Sequence, residues 1–131
     1  MKVLLVDDSK VMRQIQRRSL TTIGFSDIAE AGDGIEALQQ MNGQPKPDIV
    51  ILDWNMPRLD GLGTLRKIRE TDTKTVVVMC TTESEKVRVI EAVKAGVNNY
   101  IVKPFTPTVL QDKLAETLQR VGLAMPVPQT V

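Results

Sequence analysis

The stretch Asp48-Ile49-Val50-Ile51-Leu52-Asp53 decides the fold. Its four consecutive apolar residues leave no polar face, and three of them are β-branched, so the segment is a strand covered on both sides. It ends on a carboxylate, and Trp54–Asp60, with Pro57 inside it, is a loop. Lys2–Val6 has the same character and runs into Asp7-Asp8. Thr75–Cys80 repeats it and runs into Thr81-Thr82. Ser26–Ala31 and Asn99–Val102 are shorter strands, the second leading into Lys103-Pro104.

Helical segments separate these runs. Ser9–Ile23 starts on an Asp8 or Ser9 cap and stops at Gly24. We read Val11, Met12, Ile15 and Ile23 as its apolar side, and Lys10, Arg13 and Arg17 as a solvated side. Asp33 opens the next helix, with Glu36 at capping-box spacing, and Asn42-Gly43 closes it. Leu62–Glu70 is capped by Asp60. Thr82–Ala95 has Thr82 and Glu85 at capping-box spacing and ends at Gly96. Pro107–Val121 takes Thr106 as cap and Pro107 at its first position, with Leu110, Leu114, Leu118 and Val121 as its stripe. Five strands alternating with five helices predict one α/β domain, a doubly wound parallel sheet with right-handed crossovers. The final residues, with Pro126 and Pro128, leave the pattern, so we expect a domain over 1–122 and a loose tail or linker stub over 123–131.

Composition removes whole classes of function. The 131 residues include 17 basic and 16 acidic ones, a net charge of +1 that gives no reason to expect nucleic acid or a membrane surface as partner. There is no histidine, hence no Ser-His-Asp triad, no histidine-bound metal and no phosphohistidine on this chain. One cysteine, Cys80, permits no internal disulfide and no zinc cluster, and we read it as inert core. The apolar run Val3–Val6 is too short for a secretory core, and no stretch is long enough to span a bilayer, so we expect a cytoplasmic protein.

Ligands of open parallel sheets bind beyond the carboxyl ends of the strands. Those ends here carry Asp7, Asp8, Asp53, Thr81, Thr82 and Lys103. Three carboxylates in one place repel, and a hard divalent cation relieves them. Mg2+ takes one or two carboxylates and keeps several waters, which leaves room for phosphate oxygens. The cluster therefore reads as a Mg2+ site with an open face, and Lys103 is placed to meet an anion there. Trp54, next to Asp53, is expected to be exposed beside it.

The set Val6-Asp7-Asp8-Ser9, Asp53-Trp54-Asn55-Met56-Pro57 with Asp60-Gly61, Met79-Cys80-Thr81 and Tyr100-Ile101-Val102-Lys103-Pro104-Phe105-Thr106 resembles the receiver domain of two-component response regulators, most of all the chemotaxis members. The resemblance covers about residues 1–122. It implies the flavodoxin-like strand order 2-1-3-4-5. It implies Asp53 as phosphoacceptor, with Asp8, Asp53 and the Asn55 backbone carbonyl binding Mg2+ directly and Asp7 acting through water. Lys103 then pairs with the acidic site and the phosphoryl group, and Thr81 bonds a phosphoryl oxygen while Tyr100 follows it inward. A cis Lys103–Pro104 bond is also implied. Asn55 and Glu83 occupy the positions that tune attack by water, and Thr82 stands where the family usually has Ala or Gly, narrowing the path to Asp53.

The implied function is a signalling switch, a monomer that is not an enzyme toward other substrates. A sensor histidine kinase supplies the phosphoryl group, and a downstream protein target, the flagellar motor switch or a phosphatase, reads it. The altered surface is expected to be the helix after Thr81, strand Asn99–Val102 and helix Pro107–Val121. A Mg2+-dependent phosphatase would want an acid/base Asp two residues after its nucleophile, where this chain has Asn55. A flavodoxin-like cofactor binder would meet phosphate with Asp7-Asp8 and would lack aromatics for a flavin, at 3% of the chain. An interaction module that is never phosphorylated would not need Asp8, Asp53, Thr81 and Lys103 together.

Overall fold

A computed structural model describes residues 1–82 and 84–126. In chain order the elements are β1 (Lys2–Val6), α1 (Lys10–Ile23), β2 (Asp27–Ala31), α2 (Gly34–Met41), β3 (Ile49–Asp53), α3 (Gly61–Thr71), β4 (Val76–Thr81), a 3-10 turn (Lys86–Arg88), α4 (Val89–Lys94), β5 (Asn99–Val102) and α5 (Pro107–Arg120). The strands form one parallel sheet in the order β2-β1-β3-β4-β5, the order the resemblance implies.

Because successive strand residues face opposite ways, each strand feeds two separate cores. Val3, Leu5, Ile49, Ile51, Val76, Val78 and Cys80 pack under α1 and α5 with Leu20, Ile23, Leu110, Leu114 and Leu118. Leu4, Val6, Val50, Leu52, Val77 and Met79 pack under α2, α3 and α4 with Ala37, Met41, Leu65, Ile68 and Ala92. This double burial is why β1, β3 and β4 read as unbroken apolar runs.

The caps form where the sequence places them. Ser9, Asp33, Asp60 and Thr106 each accept a backbone N–H in the first turn of their helix. Gly24 ends α1 at φ 126°, a conformation that side-chain-bearing residues rarely adopt.

Four expectations need correction. The buried side of α1 is Gln16, Leu20 and Ile23, whereas Val11 and Ile15 are exposed. Val11 and Ile15 share a stripe, but it lies about 100° around the helix from the one that meets the sheet. The Arg13/Arg17 side is not merely solvated: both guanidinium groups bind the Glu30 carboxylate, at 2.9 and 2.8 Å. The helix after Thr81 does not run from Thr82; the chain makes a 3-10 turn first, and α4 proper has six residues. Val121 lies beyond α5 and is exposed.

After α5 the chain turns back on itself, Leu123 N–H donating to the Leu118 carbonyl at 2.8 Å. Met125 packs against the α1/α5 core. The tail residues 127–131 lie outside the described residues, as does Glu83. Among the described residues no helix is long and apolar enough to cross a membrane.

Candidate functional site

The parallel register brings the strand ends together. Asp53 pairs with Cys80 across β3 and β4, and Thr81 pairs with Val102 across β4 and β5. Four of the five strands, β1, β3, β4 and β5, thus bring polar side chains to the same edge of the sheet. The carboxylate oxygens of Asp7, Asp8 and Asp53 offer ligand atoms all within 4.8 Å of one another. Asp7 and Asp53 are buried, while Asp8 is open to solvent.

Asp7 is held by its neighbours. Its Oδ1 accepts the Ser9 N–H at 2.8 Å, which also sets up the Ser9 cap of α1. Its backbone carbonyl accepts from Arg13 Nη1 at 2.5 Å. The other carboxylate oxygen, Oδ2, is buried and has no hydrogen-bond partner. Burial pushes the Asp7 carboxyl above the usual carboxylate range; the Ser9 bond and the charge of Lys103 only partly oppose it.

Lys103 Nζ reaches Asp53 Oδ1 at 2.5 Å, spanning fifty positions of sequence. Its own N–H donates to the Thr81 carbonyl at 2.6 Å, and its bond to Pro104 is cis. Burial opposes the charge on Lys103, but the bond to Asp53 holds its pKa above the ordinary value, so it stays an ammonium. Burial also raises Asp53, and the Lys103 bond counters this without cancelling it. Two buried carboxylates thus face one ammonium in a site short of positive charge. The acceptor-only donor set, with one unpartnered carboxylate oxygen, fits a hard cation such as Mg2+.

Thr81 is fully buried and its hydroxyl has no partner. Tyr100 is half-buried in the second core, with Lys113 Nζ 5.2 Å from its ring centroid. Thr82 is half-buried, its hydroxyl 3.0 Å from Ser84 Oγ. The side chain of Asn55 donates to Glu85. Gly61 sits against the Asp53 carbonyl so closely that a Cβ there would come within 2.3 Å of it, so the loop can fold over the strand end only with glycine. Trp54 corrects the expectation of an exposed reporter: it is fully buried in the core under α2, α3 and α4, and Arg88 lies over its ring at 4.9 Å. Cys80 is buried and burial pushes its thiol far up, so it is inert at neutral pH.

Sequence reading missed two contributors. Arg13 looks like a solvated charge because nothing local shows that it reaches the Asp7 carbonyl. Glu85 is legible only as a helix cap, since its spacing from Thr82 says nothing of Asn55.

This fold with this edge defines a class, and comparison with known proteins agrees. The chain belongs to the response regulator receiver domain family, which it matches over residues 3–115. Among its relatives it is 47% identical over 120 residues to the chemotaxis protein CheY homolog of Campylobacter jejuni, covering 90% of this chain and 92% of that one. It is 42% identical over 124 residues to the chemotaxis protein CheY of Pseudomonas aeruginosa, covering 93% and 99%. A solved receiver domain protein from Clostridium thermocellum superposes with a TM-score of 0.83 at 28% identity, over 91% of this chain and 94% of that one. Within the family, the chain is a receiver domain of the CheY-like chemotaxis kind.

Proposed function

We propose that this chain is a phosphorylation switch whose phosphoacceptor is Asp53. The observation that carries the reading is the 2.5 Å contact of Lys103 Nζ with Asp53 Oδ1, inside a cluster of three carboxylates. The donor is a phosphohistidine of a sensor histidine kinase. An Asp53 carboxylate oxygen bonds to phosphorus as the phosphorus–nitrogen bond of the donor breaks, and that electron pair stays on the donor imidazole. The transition state is loose, so the residues act by position and charge. Lys103 meets the charge on the transferred oxygens. Asp8, Asp53 and the Asn55 carbonyl would hold Mg2+ directly, with Asp7 behind a water. When bound, Mg2+ neutralises phosphoryl and carboxylate charge. The chain acts on no other substrate, and water later returns Asp53 to a carboxylate.

The phosphoryl group supplies the acceptor that the buried Thr81 hydroxyl lacks. Movement of Thr81 toward it vacates space beside β4, into which Tyr100 turns. The output surface is α4 with the 3-10 turn before it, β5 and α5; on the turn and α4, Val87, Ile90 and Val93 are more than 60% exposed. A downstream protein reads the shift in population of two local arrangements. The relatives' chemotaxis role favours a motor switch or phosphatase as that target. We read the protein as a cytoplasmic monomer, with neither nucleic acid nor membrane as partner.

The test is incubation with Mg2+ and a small phosphodonor. The parent is expected to gain one phosphoryl group at Asp53, and Asp53→Asn to gain none. Quantitative labelling at another residue in Asp53→Asn would overturn the assignment.

A further inference from the structure

Glu85 stands outside the acidic pocket and does more than a helix cap requires. Its Oε1 accepts the Thr82 N–H at 2.8 Å, the backward half of a capping box. Its Oε2 accepts from the side-chain amide of Asn55, thirty positions earlier in the loop after Asp53. The side chain is buried, so these donors stand in for water around its carboxylate. One carboxylate therefore ties the loop after β3 to the loop after β4, and those loops flank Asp53 and Thr81. The same two segments meet again where Arg88 lies over the ring of Trp54, the residue next to Asp53. The Asn55 amide is consequently held, although it sits on an exposed loop residue.

We propose that Glu85 is a positioning residue for hydrolysis of the Asp53 phosphoryl group, acting through Asn55. This rests on the aspartyl-phosphate reading above. In that hydrolysis the oxygen of water bonds to phosphorus and the bond from phosphorus to the Asp53 oxygen breaks. Asp53 returns as a carboxylate, inorganic phosphate leaves, and the released proton passes to solvent. An unheld amide rotates and exchanges its donor and acceptor ends. With its nitrogen engaged by Glu85, Asn55 keeps its oxygen as the end available to accept a hydrogen bond from the attacking water. Loss of Glu85 releases the amide and weakens that placement.

The experiment measures the phosphoryl half-life in Mg2+ after loading from a small phosphodonor. The proteins are the parent, Glu85→Ala, Glu85→Gln, Asn55→Ala and the combination of Glu85→Ala with Asn55→Ala. Glu85→Ala is expected to lengthen the half-life about two- to tenfold, the range one ordinary hydrogen bond commands. Glu85→Gln, which keeps an acceptor for one donor only, is expected to fall between. In the Asn55→Ala background the Glu85→Ala substitution is expected to change nothing. An unchanged half-life in Glu85→Ala overturns the proposal. So does an equal effect with and without Asn55, which would mark Glu85 as structural. A parallel measurement on the unphosphorylated proteins follows the Asn55 side-chain amide resonances, which are expected to shift in Glu85→Ala; no shift also overturns the proposal. Failure of the parent to take up any phosphoryl group would sink the aspartyl-phosphate reading and the hydrolytic role together. The amide resonances would then still report whether Glu85 holds Asn55, which separates the two failures.

Discussion

The two edges of the sheet treat the same residue type in opposite ways. At the amino edge, Asp72 is buried and fully engaged: Lys46 at 2.5 Å, the N–H groups of Lys74 and Thr75, and the Thr75 hydroxyl all point at its carboxylate. Burial works against its charge, but these partners overcome it and hold the carboxyl well below the usual range. At the carboxyl edge, Asp7 and Asp53 are equally buried, yet Asp7 Oδ2 and the Thr81 hydroxyl have no partner and burial wins. An engaged carboxylate stabilises the fold. A strained cluster is one whose missing partners arrive as ligand, which is how sites differ from scaffolding.

The comparison can be broken at four points beyond the loss of labelling in Asp53→Asn. The largest effect is expected on output. With a phosphoryl analogue at Asp53, partner affinity of the parent should rise about tenfold or more, the scale of ordinary allosteric coupling. Thr81→Ala and Tyr100→Ala should lose most of that gain, measured by titration calorimetry. If both keep the whole of it, the switch lies elsewhere.

Next is the amino edge. Asp72→Ala should cost about 1–3 kcal/mol in denaturant unfolding, since it strands buried donors, yet leave phosphoryl uptake at Asp53 intact. Asp72 has its pKa lowered on folding from 3.8, so its contribution is present above that value and is lost as pH falls through the lower folded one. The parent's advantage over Asp72→Ala should therefore shrink in acid. A stability unchanged by the substitution would contradict the engaged-carboxylate reading.

Asp7 and Asp53 carry the opposite sign. Their folded pKa values lie above 3.8, so each favours the fold below that value and loses this stability as pH rises through the folded pKa. Without Mg2+, Asp7→Asn should raise Tm by a few degrees at neutral pH, and the difference should close as pH falls through the raised folded pKa of Asp7. Added Mg2+ should raise Tm of the parent more than that of the variant. A lower Tm for Asp7→Asn at neutral pH would remove the strain from this edge.

The smallest effect concerns access. Thr82→Ala should shorten the phosphoryl half-life modestly, on the reading that the β-branched side chain next to Thr81 narrows the path to Asp53. An unchanged or longer half-life would mean that Thr82 is no barrier.

Much of this arrangement follows from local sequence rules. Unbroken apolar runs announced β1, β3 and β4, and Ser9, Asp33, Asp60 and Thr106 announced four helix starts, because a cap or a period involves residues within four positions. The convergence of Asp7, Asp8, Asp53, Thr81 and Lys103 followed from placing strand ends at one edge of a parallel sheet, and the receiver motifs gave each its expected role. Tertiary structure alone decided the rest. It put Gln16 rather than Ile15 against the core and buried Trp54 in the core under α2, α3 and α4. It turned Arg13 from a solvated charge into a brace on the Asp7 carbonyl, left Asp7 Oδ2 and the Thr81 hydroxyl without partners, and gave Glu85 a second donor in Asn55. These facts join residues far apart in the chain. They depend on strand register and on how each helix is rotated over the sheet, which no pattern within a single segment specifies.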